Sequence, residues 1–335
     1  MDKSISLIIP NYNGSSTIGK CLEAALASRY GNFEVVVVDD CSEDNSVEII
    51  KQFPVRLIAL EEHSGAPVAR NRGAEESRGE ILFFTDADCL IRDDALSLAN
   101  EAMAQNPGAV IGGTYTPLPL DTDFFSTFQS LFIHYSETKK KEPDYIAAHA
   151  MVMEASLFRK SAGFPQHVFA IPEDVKFSHI LRRMEHRLIM KPEIEVTHVF
   201  NFTFLKSLRN AFRKAMLWTI YSLENHDLLT DSGTASSELK INGASFFLTV
   251  VCGFLFISRQ EPSWLALVPF LFGLNLFASR GLLRLFVRSR GSWFTIVAAL
   301  YYTIVYPLPV LAGGLVGITK HGLMRGDGKG TIVQS

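Results

Sequence analysis

Up to Thr85 the chain alternates short apolar runs, each closed by Pro, Asn, Asp or Gly, with stretches of helical spacing. Ser6–Pro10 (SLIIP), Phe33–Val38 (FEVVVV), Val55–Leu60 and Glu80–Thr85 (EILFFT) read as strands. Each is apolar on both faces rather than alternating, the pattern of a strand covered on both sides. Between them, Ser15–Ser28, Ser46–Phe53 and Ala66–Ser77 have helical spacing, and in the first Ile18, Leu22, Ala25 and Leu26 share a face. The alternation predicts an α/β fold, a Rossmann-like and mostly parallel sheet with helices on both faces. Ligands of such sheets sit beyond the carboxyl ends of the strands, so the polar residues there become the candidates for chemistry.

The rhythm then loosens. Asp94–Gln105 reads as a helix, Ala109–Tyr115 as a strand, and Asp174–Met190 as a helix, while Asp123–Tyr135 (DFFSTFQSLFIHY) is crowded with aromatics. Phe204–Tyr221 places Lys206, Arg209, Arg213 and Lys214 among Leu205, Leu208, Phe212, Leu217 and Trp218. Such a basic amphipathic helix suits a membrane interface, and equally a packed core. Asp231–Ser237 is small and polar, as linkers are. Beyond it the scale changes to long apolar segments at 243–258, 263–278 and 293–318, the first two at the short end of what spans a bilayer. Arg280, Arg284, Arg288 and Arg290 follow the second segment and predict a cytoplasmic side there. Two crossings from a cytoplasmic N-terminal domain return the chain to that side. The third segment contains Pro307 and Pro309, and either crosses or re-enters. The expected organisation is a domain at 1–230 (halves 1–115 and 116–230), a linker at 231–242, a membrane region at 243–320 and a basic tail at 321–335.

Composition agrees with this division. Of 335 residues 47% are hydrophobic, an excess concentrated after Ile241, and 25 are Phe. The net charge of −3 argues against general affinity for nucleic acid. Cys21, Cys41, Cys89 and Cys252 lie far apart with no CxxC spacing, so neither a zinc site nor a disulfide framework is expected. The first residues run straight into a strand without the features of a signal peptide, and the expectation is a multi-pass protein of the cell inner or plasma membrane with its N-terminal domain in the cytoplasm.

Three polar groups follow strands. Asp86 and Asp88 (TDADC) end the run EILFF, and residues i and i+2 of an extended chain point the same way. Two carboxylates converging there, with diphosphate oxygens, suit Mg2+ or Mn2+. Asp39 and Asp40 end FEVVVV, where a carboxylate either caps the following turn or accepts from a base N–H or a ribose hydroxyl. Pro10–Gly14 (PNYNG) forms a turn after the first strand. Further on, Glu173 and Asp174 open a helix, where acidic residues meet its dipole favourably. His198 and His149 are lone histidines, more often packed than functional.

As a set, SLIIPNYNGSSTIGKCLEAAL, EVVVVDDCSEDNS, HSGAPVARNRGAEESRGEILFFTDADC and PED resemble the inverting glycosyltransferases of family 2, with the GT-A fold, over residues 4 to 220. The resemblance implies a UDP- or GDP-sugar donor and a divalent cation. Pro10, Asn13, Asp39 and Asp40 would line the nucleoside pocket, and Arg70 and Asn71 would approach the diphosphate or sugar. Asp86 and Asp88 would hold metal and donor, His198 is a further ligand candidate, and His149 falls near the acceptor sugar. Asp174 would be the general base, with Glu173 its alternative. The chain departs from the family in having Ala162-Gly163-Phe164-Pro165-Gln166 for Gly-Gly-Phe-Asp-Glu, and no Gln-x-x-Arg-Trp follows Asp174, which argues against a processive synthase. The implied acceptor is lipid-linked or a membrane-held saccharide, with polyprenyl phosphate one version. Competing classes are a nucleotidyltransferase, which lacks its Gly-rich basic loop here, and a degenerate membrane scaffold.

Overall fold

The structure, a computed structural model, describes residues 2–166 and 173–326, with side chains to 323. Pro172 and the tail beyond residue 326 lie outside the described residues. Contacts divide the chain into a first unit, Met1–Thr122 with Ser136–Asn201, and a second, Asp123–Tyr135 with Phe202–Ser335.

The first unit holds β1 (Ile5–Asn11), α1 (Ile18–Leu26), β2 (Phe33–Asp39), α2 (Ser46–Ile50), β3 (Arg56–Ala59), α3 (Ala66–Glu76), β4 (Ile81–Phe84), β5 (Cys89–Ile91), α4 (Ala95–Gln105) and β6 (Val110–Tyr115). The last turn of α5 (Phe124–Thr138) belongs to it, as do β7 (Met151–Glu154), α6 (Ala155–Lys160), α7 (Glu173–Arg183) and β8 (Leu188–His198). The eight strands form one sheet, ordered β3-β2-β1-β4-β7-β6-β8-β5. The half β3-β2-β1-β4 is parallel throughout, and its strands are the four apolar runs that open the sequence. Beyond β4 the sheet is mixed. β7 runs antiparallel to β4 and β6, β8 parallel to β6, and β5 antiparallel to β8.

One expectation is corrected here. Asp174–Met190 is not a single helix. α7 stops at Arg183, Glu185 turns the backbone through the left-handed region (φ 65°), and Leu188–Met190 pair with Val110–Gly112 as the start of β8. Leu188, Ile189 and Met190 are all buried, which a strand inside the sheet achieves for three consecutive residues and one face of a helix does not. On one side of the sheet Phe84, Phe158, Phe164 and Phe177 form a packed ring cluster, with Phe164 4.5 Å from Phe177 centroid to centroid.

The second unit holds most of α5, then α8 (Phe204–Asn225), α9 (Ser237–Arg259), α10 (Ser263–Ala278), α11 (Arg280–Leu300), a π turn (Tyr301–Val305) and α12 (Pro307–Gly326). Phe124, Phe128 and Phe132 of α5 stack among Phe286, Phe294, Tyr301, Tyr302 and Tyr306. α12 lies against α8 through Gly313 and Gly317, where a Cβ would collide with the Phe212 and Met216 carbonyls. The chain is helical from Arg280 to Leu323 apart from a kink at Gly291 (φ 79°), so Pro307 and Pro309 do not break it; Pro307 opens α12, where no N–H is needed. By length and composition Ser237–Arg259 and Arg280–Leu323 are sufficient to cross a membrane, and Ser263–Ala278 is shorter.

A polar chain crosses this apolar unit. In the π turn the Tyr306 N–H bonds the Tyr301 carbonyl, 2.9 Å away, so the Tyr302 carbonyl loses its α-helical donor. Asn242 supplies the replacement (2.8 Å), and its own oxygen accepts from Asn275 (2.7 Å). Asn242→Leu strands both partners, and we expect a loss of about 1–2 kcal/mol in detergent, the scale of interhelical hydrogen bonds in membranes. An unchanged unfolding midpoint would show that the bond contributes nothing.

Candidate active site

The candidate residues meet at the carboxyl edge of the parallel strands, within the first unit. β1 and β2 pair in register so that Asn11 faces Asp39, and the Asn11 amide donates to Asp39 Oδ1 (2.7 Å). Asp39 also accepts from the Ser42 N–H (3.0 Å) and hydroxyl (2.7 Å). Asp40 accepts from the Ser64 N–H at Oδ1 (2.7 Å) and from the Gly65 N–H at Oδ2 (2.8 Å), and His63 Nδ1 lies 2.9 Å from that same Oδ2. Both carboxylates are buried and tie three loops together. Asn13, in the left-handed region (φ 50°), accepts from the Glu43 N–H (2.8 Å), and Pro10, near the end of β1, is half-buried. The exposed Tyr12 ring stacks on His63 at 4.0 Å beside Asp40.

β4 delivers the Asp86–Asp88 pair. The chain leaves the sheet at Thr85, passes the two aspartates and re-enters as β5, whose register sets Cys89 opposite His198. That pairing brings His198 Nε2 to 3.4 Å from Asp88 Oδ2. An Asp88 oxygen, a ring nitrogen of His198 and Cys89 Sγ all lie within 4.8 Å of one another, close enough to share one cation. Burial and then the Asp88 charge push the Cys89 thiol well up, so it stays protonated and makes a poor partner for a hard ion. Burial, reinforced by Asp86, raises the Asp88 carboxyl to about 6. A half-buried carboxylate pair beside an imidazole thus has the donor set for Mg2+ or Mn2+, and a cation would relieve the repulsion.

Asp86 behaves differently. Arg70, buried on α3, donates to Asp86 Oδ1 (2.7 Å) and to Glu173 Oε1 (2.5 Å). Burial opposes ionisation of Asp86, but Arg70 outweighs it and holds the carboxyl below the usual range. Arg70 Cζ also lies 5.5 Å from the centre of the Phe164 ring. Asn71, the next residue, points both ends of its amide at the Phe164 backbone, at 2.8 Å each. It braces the Gly163–Phe164 turn, the part of this loop that keeps the family motif, between the departures at Ala162 and Pro165.

Asp174 sits in the first turn of α7. It accepts from its neighbour Val175 N–H (2.8 Å) and from the Ala148 N–H (3.3 Å). Burial, and after it the Glu173 charge, push its carboxyl up to about 6 against the pull of Arg70. The short 3₁₀ turn Ala148–Ala150 that supplies this N–H also carries His149. His149 Nε2 lies 3.4 Å from Glu137, which accepts from Thr114 (2.8 Å), and Tyr115 stacks on the imidazole at 3.9 Å. Burial works against a charge on His149, but Glu137 outweighs it and the imidazole titrates above its ordinary range.

Arg70, Asp86, Asp88, Glu173, Asp174 and His198 therefore converge, whereas Asp39, Asp40 and Asn13 form a separate loop frame at the β1–β2 end. Glu137 and Tyr115 escaped sequence reasoning. Tyr115 ends a strand of the sheet and was open to discovery by the strand-end rule. Glu137 has no local signal, since its partners are far away in sequence.

The α/β sheet carries its carboxylate pair at the switch from parallel to mixed pairing. Residues 6–162 match the model of glycosyl transferase family 2, and this stretch is a domain of that family. Glycosyltransferase GlyG of Streptococcus pneumoniae is 31% identical over 131 residues, covering 37% of this chain and 44% of that protein. The putative teichuronic acid biosynthesis glycosyltransferase TuaG of Bacillus subtilis is 31% identical over 139 residues, 40% of this chain and 54% of its own. The matched stretch spans about half the length of these relatives. Among solved structures, the mannosyltransferase PcManGT of Pyrobaculum calidifontis, in complex with GDP-Man and Mn2+, aligns over 96% of this chain and 87% of its own. At a TM-score of 0.58 and 18% identity that likeness shows the fold.

Proposed function

We propose that the chain is an inverting glycosyltransferase that moves one sugar from a nucleotide-diphosphate sugar to a membrane-held acceptor. The observation that carries this reading is the Arg70 bridge. One buried cation joins Asp86 of the carboxylate pair to Glu173 beside Asp174, so the donor and acceptor ends of a single displacement are built as one cluster. The matching relatives are named as glycosyltransferases, and the mannosyltransferase of like fold is described with GDP-Man and Mn2+, which supports a UDP- or GDP-sugar donor.

In this reading Pro10, Asn13, Asp39 and Asp40 wall the nucleoside end, with Tyr12 and His63 beside them. Asp88 and His198, with Asp86 nearby, would hold Mg2+ or Mn2+, which when bound would neutralise charge on the departing diphosphate. Arg70 spends both terminal nitrogens on carboxylates and is a positioning residue. Asp174 takes the proton of the acceptor hydroxyl as its oxygen forms a bond to the anomeric carbon. The carbon–oxygen bond to the diphosphate breaks on the opposite face, and its electron pair leaves with the nucleoside diphosphate. One displacement inverts the configuration, without a covalent enzyme intermediate. A carboxyl raised to about 6 is a stronger base than an ordinary aspartate, and is still ionised at neutral pH.

The pH dependence follows with its sign. Asp174 works ionised, so kcat/KM falls about tenfold per pH unit along an acid limb that begins no higher than about 6 and is level above it. Cation binding nearby favours the carboxylate and moves this limb to lower pH. A flat profile between pH 4.5 and 7 would contradict the assignment.

The apolar helices α9 and α11–α12 support a multi-pass location, and the arginines on the first part of α11 support a cytoplasmic catalytic domain. A donor screen against total membrane lipid extract, with mass spectrometry of the products, tests the whole reading. The expected product is a lipid or lipid-linked saccharide heavier by one sugar, formed with Mn2+ or Mg2+ and lost with chelator. Failure of every common UDP- and GDP-sugar would favour the scaffold reading.

A further inference from the structure

The second unit contains an apolar cavity of about 430 Å3 among α8, α9 and α12. Small residues open it: Ala215 on α8, Gly243 and Ala244 on α9, and Gly314 on α12, with Trp218 and Phe247 as larger walls. A second cavity, of about 370 Å3, adjoins it and shares Ser222, Leu228 and Leu229 as lining. This neighbour is the more polar of the two, lined also by His226, Asp227 and Thr230 beside Leu223. Lys240 lines the apolar cavity and donates to the carbonyl of Thr230, which lines the polar one, so its ammonium stands at the seam between them. Asp227 is half-buried, and its sheltered Oδ1 has no hydrogen-bond partner among the described residues. A buried carboxylate oxygen without a donor is costly, and a ligand that brings an N–H removes the cost.

The geometry points to a phospholipid seat that takes one aminophospholipid of the surrounding bilayer, of the phosphatidylethanolamine class. Its hydrocarbon chain fills the apolar cavity, its phosphate meets Lys240 at the seam, and its primary ammonium donates to Asp227. The order of the three protein features, apolar wall, cation and anion, is the order of chain, phosphate and amine along such a lipid. A choline headgroup has no N–H to give, and a glycerol headgroup brings no positive charge to the carboxylate. Both cavities lie within the size range of small-molecule clefts. The inference rests on the reading of α9 and α11–α12 as membrane-embedded and is independent of the sugar-transfer reading.

The test is native mass spectrometry of the full chain, purified in mild detergent and exchanged into equimolar phosphatidylethanolamine, phosphatidylglycerol and phosphatidylcholine. Wild-type protein retains one phosphatidylethanolamine in about tenfold excess over each of the others, the ratio expected of one hydrogen bond to a charged group. Asp227→Asn brings that excess close to parity. Ala244→Trp, at an exposed position of the apolar lining, fills the cavity and loses the retained lipid of every class. If that variant fails to fold, the wild-type and Asp227→Asn ratios alone decide. Equal retention of the three lipids, an unchanged preference in Asp227→Asn, or displacement by equimolar polyprenyl phosphate overturns the proposal. Recovery of the protein from cells in the soluble fraction without detergent overturns it too, through the membrane reading, and leaves sugar transfer to be judged by its own assay.

Discussion

Asp174→Asn is expected to lower turnover by about 10²–10⁴, the usual contribution of a positioned general base, while donor affinity stays at the wild-type value. Asparagine keeps the shape of the side chain, but its single oxygen replaces only one of the two that accept separately from the Val175 and Ala148 N–H groups. It also loses the ability to take a proton. The lost backbone contact is set against relief of the repulsion from Glu173 in this half-buried turn, so the loss should appear far more in kcat than in the unfolding midpoint. Titration calorimetry of donor binding and single-turnover kinetics separate the two. A small loss would point to an acceptor that is already anionic, as a polyprenyl phosphate is, because such a nucleophile needs no base. Wild-type turnover with a neutral hydroxyl acceptor would remove Asp174 from the role.

Asp88→Ala is expected to abolish the metal dependence of donor binding, a loss of at least about 100-fold in affinity with Mn2+ present, since changes even in residues behind metal ligands cost 10–100-fold. Asp88 is the carboxylate that faces His198, whereas Asp86 has one oxygen committed to Arg70. Affinity of Asp88→Ala should therefore match that of wild-type protein in chelator. Asp86→Ala is a different experiment, because it also leaves the buried Arg70 with a single partner and disturbs Glu173. If Asp88→Ala kept its response to Mn2+, the cation would have to sit elsewhere.

The parallel half of the sheet was legible because its strands are short apolar runs that end in Pro, Asp or Thr. Those endings are where β1, β2 and β4 leave the sheet, and so Asp39, Asp40, Asp86 and Asp88 could be placed at one edge before any coordinates. The mixed half was not. β5 has three residues and β7 four, too few for a period to register, and Leu188–Met190 continue the apolar spacing of α7 across a turn made by Glu185. His198 stands beside Asp88 only because β5 and β8 pair in one register, a relation across the whole domain. The Arg70–Glu173 contact joins residues 103 apart, and no local pattern announces it. In the second unit the apolar lengths were readable, yet the Asn242–Asn275 chain depends on a π turn that frees one carbonyl. The two asparagines look like defects in apolar segments until that carbonyl is seen.

The central claim, a single displacement driven by a carboxylate at Asp174, has a direct readout in the stereochemistry of the product. Proton NMR of the freshly formed glycoside, made from an α-linked nucleotide sugar, gives the anomeric configuration from the coupling constant. The account predicts a β-linked product at the earliest time points. An α-linked product would contradict it, because retention requires either a covalent intermediate or front-face attack, and neither uses Asp174 as the base described here.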